Sequence, residues 1–62
     1  MFTVRNHTNN TTTPFDTYDN AYRYLSLLCR GFIEDDLDVE IWDGKLAEWD
    51  HPEKPLAEII TE

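Results

Sequence analysis

The chain has 62 residues, 40% of them apolar, and a formal net charge of −8. That length makes one domain with a marginal core, because a chain this short buries only about 60% of its unfolded surface. It carries a single cysteine, which excludes an internal disulfide and fits a reducing, cytoplasmic compartment. No run of residues approaches the ~20 apolar positions that a membrane-spanning helix needs.

The first element is a strand over residues 2–6, where Phe2-Thr3-Val4-Arg5 alternates apolar and polar side chains. Residues 7–14, HTNNTTTP, have no apolar period and many side chains that bond their own backbone, so they read as a polar loop ending in Pro14. A helix follows over residues 18–30, with Thr17 as its N-cap and Asp16 and Asp19 near the positive end of its dipole. Ala21, Tyr24, Leu25, Leu28 and Phe32 recur at spacings of three and four and form its apolar stripe. Arg30 suits the last turn, and Gly31 suits a left-handed C-cap. Cys29 reads as a small apolar residue on this helix, since no His and Asn/Asp pattern marks it as a nucleophile.

A second strand is predicted over residues 37–41, with Leu37, Val39 and Ile41 on one face and Asp36, Asp38, Glu40 and Trp42 on the other. Asp43-Gly44 signals a two-residue turn whose central residues both take positive φ. Lys45 to Trp49 then returns as the partner strand, setting Trp42 against Lys45, Ile41 against Leu46 and Glu40 against Ala47. Two prolines in residues 50–55 exclude a central strand there. Residues 56–60 read as a short strand first and a helical turn second. The resulting fold class is α+β: one amphipathic helix on a small, mainly antiparallel sheet of three to four strands, ordered β-α-β-β with the tail as the fourth.

Catalytic and metal chemistry find little support. Asp36-x-Asp38-x-Glu40 shares the start of an EF-hand loop, but Ile41 stands where Gly is needed and Ala47 where a bidentate Glu is needed. His7 and His51 lack the companions a zinc site requires. The two glycines are spent on a cap and a turn, leaving no phosphate-binding loop. The expectation is a protein with no cofactor, no metal and no enzymatic activity.

Charge carries the strongest functional signal. Residues 1–33 hold three basic and two acidic side chains, net +1, whereas residues 34–62 hold two basic and eleven acidic ones, net −9. Binding nucleic acid directly, or an anionic membrane, needs Lys and Arg instead. If charge directs recognition, the partner is a basic surface on a larger protein. Same-face residues on a strand repeat every ~6.6 Å, an interval comparable to that of phosphates along a nucleic-acid strand. Asp36, Asp38 and Glu40, extended by Glu34, Asp35 and Glu48, therefore read as a phosphate-like row, with Trp42 as an apolar anchor among carboxylates. Two readings compete with this one. The acidic run can be a solvated face that keeps a small protein in solution, and the chain can be a self-associating assembly subunit or homodimer.

The segments FTVRN, FDTYDNAYRYL and VEIWDGKLAEW together resemble the small orphan proteins that bacteriophages and other mobile elements encode. The resemblance covers most of the chain. It implies a host-directed binding protein, such as an inhibitor of a polymerase, nuclease or defence complex, acting in the host cytoplasm. It transfers no functional residue.

Overall fold

A computed structural model describes all of residues 1–62. Five strands and one helix follow in the order β1 (Phe2–Asn6), β2 (Thr11–Phe15), α1 (Tyr18–Glu34), β3 (Val39–Trp42), β4 (Lys45–Glu48) and β5 (Ala57–Thr61). The strands form one antiparallel sheet ordered β2-β1-β5-β4-β3, and α1 packs on one face of it. The α+β class stands, with five strands in place of three to four.

The additional strand is β2, drawn from the segment that reads as a loop. Thr11, Thr12 and Thr13 are β-branched and accept extended backbone readily. β2 pairs with β1 in the register Phe2 to Phe15 and Asn6 to Thr11. Pro14, which cannot donate to a ladder, is tolerated because β2 lies at the edge of the sheet. Only His7 to Asn10 remain as the connecting turn. There the Asn6 side-chain oxygen accepts from the Thr8 backbone N–H and hydroxyl, and that of Asn9 accepts from the same groups of Thr11. Asn10 supplies the positive φ, 58°.

The helix starts as its sequence predicts. The Thr17 side chain accepts from the Asn20 N–H at 3.2 Å, and Asp19 lies in the first turn. The end differs: α1 continues through Gly31 to Glu34, so neither Arg30 nor Gly31 terminates it. The left-handed residue is Asp36, φ 66°. Its N–H donates to the Ile33 carbonyl, and the Leu37 N–H donates to the Phe32 carbonyl, each at 3.0 Å. These two bonds close a Schellman motif. Carrying the helix one turn further brings Phe32 onto the core.

Helix and sheet meet through Val4, Val39, Leu46 and Ala57 from the strands and Ala21 and Leu25 from α1, all buried. Phe2, Phe15, Tyr24, Leu28, Cys29, Phe32, Ile41, Leu56 and Ile59 pack around that centre. No helix is long and apolar enough to cross a membrane.

A candidate protein-binding surface on the β3–β4 hairpin

The hairpin is fixed at its tip. Asp43 and Gly44 take φ of 48° and 74°, the pair of positive angles a type I′ turn demands. The Gly44 carbonyl accepts from the Ile59 N–H at 2.8 Å. A Cβ on Gly44 would stand 3.2 Å from the Tyr18 hydroxyl, so the helix start crowds the turn from above. The register is the one the turn predicts: Trp42 opposite Lys45, Ile41 opposite Leu46 and Glu40 opposite Ala47.

That register sorts the side chains. Val39, Ile41 and Leu46 belong to the helix-side core, so Glu40, Trp42, Lys45 and Ala47 project from the other face by alternation. Trp49, four residues beyond Lys45, shares their face. Four residues of strand span about 13 Å, yet the Trp42 and Trp49 ring centroids lie 6.1 Å apart with planes inclined by 31°. The indoles therefore lean toward each other above the intervening Ala47, which is fully buried although it lies outside the helix-side core. Both remain partly open to solvent, Trp42 by 36% and Trp49 by 56%. Trp42, Asp43, Lys45 and Pro52 line a cleft of about 350 Å³, so the loop after β4 folds back onto this same face.

The carboxylates do not form the straight row expected from sequence. Asp36 sits at the left-handed end of α1, and β3 begins only at Val39, so Asp36 does not continue the strand's alternation. Glu34 is the last residue of α1 and Asp35 is its C-cap, so both belong to the helix end. Glu48 pairs with Val39, which assigns it to the helix-side face, where it is half-buried. Asp38 and Glu40 alone among the six share the face of the indoles; the Asp38 carbonyl still accepts from the Trp49 N–H at 2.8 Å, carrying the ladder one pair beyond β3. The acidic set is thus two patches, Asp38 with Glu40 beside the indoles and Glu34, Asp35 and Asp36 around the helix C-terminus.

Further toward the middle, the same sheet face turns mixed in charge. Glu58 stands across from Arg5 on one side and Lys45 on the other, and its Oε2 lies 3.5 Å from His7 Nε2. Burial pushes the Cys29 thiol above its ordinary value, and the negative charge of Glu40 adds to the rise. Exposed Glu53 shifts downward, chiefly through its own backbone N–H and secondarily through His51, whose Nδ1 is 3.4 Å from Glu53 Oε1. No three His, Cys, Asp or Glu side chains cluster in a way that would hold a metal ion.

Trp42 was legible from sequence as a surface aromatic. Its tilted contact with Trp49 is not, although the turn-defined register already places both on one face. Pro52 and Ala47 carried no signal of their own. Compared with protein families, curated proteins and solved structures, the chain matches none.

Proposed function

We propose that this chain is a non-enzymatic binding protein whose acidic half docks on a basic surface of a larger protein and blocks it. The observation that carries the reading is the Trp42–Trp49 pair, half-open to solvent on the sheet face away from the helix and bordered by Asp38 and Glu40. Tryptophans that stay exposed in a small protein are the usual anchors of a protein interface. Carboxylates around them select a basic partner and speed its approach. Arg and Lys side chains from the partner would also stack favourably on the indole faces.

The helix end supports the same reading. Glu34, Asp35 and Asp36 stand at the negative end of the α1 dipole, where each anion costs about 0.3–1 kcal/mol. Charges kept where the fold disfavours them are characteristic of functional positions. The resemblance to phage-encoded proteins directs the search toward polymerases, nucleases and defence complexes, whose nucleic-acid grooves are basic.

The test is affinity capture from a bacterial lysate at rising salt, with wild type beside Trp42→Ala and Glu40→Lys, both checked for folding by circular dichroism. The reading expects one partner retained by wild type, released progressively by salt and lost from both variants. A partner held equally by all three proteins, or indifferent to ionic strength, overturns it. A second reading, assembly with copies of itself, rests on Leu27 and Ile33, which α1 leaves 58% and 54% exposed. Sedimentation equilibrium separates the two: a monomer at high concentration removes the second.

A further inference from the structure

The sheet ends in two free edges, and they differ. β2 carries Pro14, a residue that cannot accept a further strand through its nitrogen. β3, Val39-Glu40-Ile41-Trp42, has no proline. The two-residue turn after Trp42 and the Trp49-to-Asp38 hydrogen bond fix which groups of β3 face β4: those of Asp38, Glu40 and Trp42. By alternation, the N–H and C=O groups of Val39 and Ile41 point outward from the sheet. They are a ready template for an added strand.

We infer that the β3 edge receives an extended, basic segment of the partner as a sixth, antiparallel strand, a mode of recognition that rests on the binding function proposed above. Charge decides between occupants. The symmetric pairing with a second copy that would satisfy both Val39 and Ile41 is centred on Glu40, and it sets Glu40 against Glu40. Like charges directly opposite each other on neighbouring strands are destabilising. A segment with Lys or Arg at alternate positions instead sets cations beside Glu40 and Asp38, on the face that carries the indoles. Its intervening apolar side chains fall on the helix-side face, next to Val39 and Ile41. In that register the amides of the apolar residues donate to β3, and those of the basic residues point away.

A short peptide alternating lysine and valine tests this directly, because N-methylation can silence either set of its amides without changing its charge. The full chain is titrated at low salt and binding is followed by indole fluorescence and by hydrogen exchange at the Val39 and Ile41 amides. The unmodified peptide is expected to bind and to protect both amides. Methylating the valine amides is expected to weaken binding by at least about tenfold, the loss of one or two hydrogen bonds, while methylating the lysine amides changes it less than about twofold. Glu40→Lys should weaken the unmodified peptide by about tenfold as well. If both methylated peptides bind as the parent does, with indole quenching but no protection at Val39 and Ile41, strand addition is overturned and the charge-and-indole reading survives. Failure of the unmodified peptide to bind also overturns strand addition, and the lysate capture then decides the broader reading alone.

Discussion

The two faces of this sheet are closed by different means. On one, a helix lays Ala21 and Leu25 against Val4, Val39, Leu46 and Ala57, and all six are buried. On the other, near the β3 edge, a single small residue, Ala47, is buried beneath two indoles that are themselves still exposed. Apolar area removed from water is what stabilises a chain this short, so the helix side carries the fold. The indole side leaves 36% of Trp42 and 56% of Trp49 in water. The aromatic surface they keep in water, in a protein that can spare little of it, is available for a partner.

Substitutions sharpen that contrast. Leu25→Ala, at a fully buried helix position, should lower unfolding free energy by about 2–5 kcal/mol in urea denaturation. Leu46→Ala should behave alike. Trp42→Ala should cost less despite deleting more atoms, with a coupling to Trp49→Ala of about 0.5–1.5 kcal/mol in a double-mutant cycle. Equal losses for Leu25→Ala and Trp42→Ala would erase the distinction between the faces.

Much of this arrangement could be read from residue order, and the failures have specific causes. The hairpin register followed from Asp43-Gly44, because a two-residue turn leaves no freedom in pairing. The Thr17 cap and the apolar stripe were equally legible, since both depend on neighbours within one turn. β2 is not legible because a threonine run has no apolar period. It becomes a strand only by pairing with β1, a nonlocal event. The helix end differs from the sequence expectation because Gly31 offers the favoured left-handed residue, while Phe32 carries the stripe onward into the core and tertiary packing wins. The expected acidic row failed for the same reason: a helix one turn longer absorbed Glu34 and left Asp35 and Asp36 to cap it.

The helix end offers the next smaller effect. A Cβ on Gly31 would meet nothing within 4 Å, and Gly31 lies inside α1. Gly31→Ala should therefore stabilise the protein by about 0.8–1 kcal/mol. Were Gly31 the left-handed cap its sequence suggests, the same change would destabilise, so the sign alone discriminates. Asp36→Gly should add about 0.5–1 kcal/mol, by relieving φ 66° at a residue with a side chain and by removing an anion from the negative dipole end. If Asp36 also serves the partner, this variant will bind more weakly while melting higher.

The smallest effect links the two faces through Cys29, which packs at the margin of the helix-side core while sensing Glu40 on the strand beyond. Burial raises its thiol, with Glu40 second, so the folded chain holds that proton more tightly than the unfolded chain does. A group with a raised folded value contributes stability that is complete below the unfolded thiol's range and is lost as pH climbs through the folded one. Alkylation of native protein across alkaline pH should therefore show a midpoint above that of the urea-unfolded chain. Glu40→Gln should move the midpoint only partway back, because burial, the larger cause, remains. A full return to the unfolded value in Glu40→Gln would mean that Cys29 is not packed where the core requires it, and the margin of the helix-side core near Glu40 would have to be redrawn.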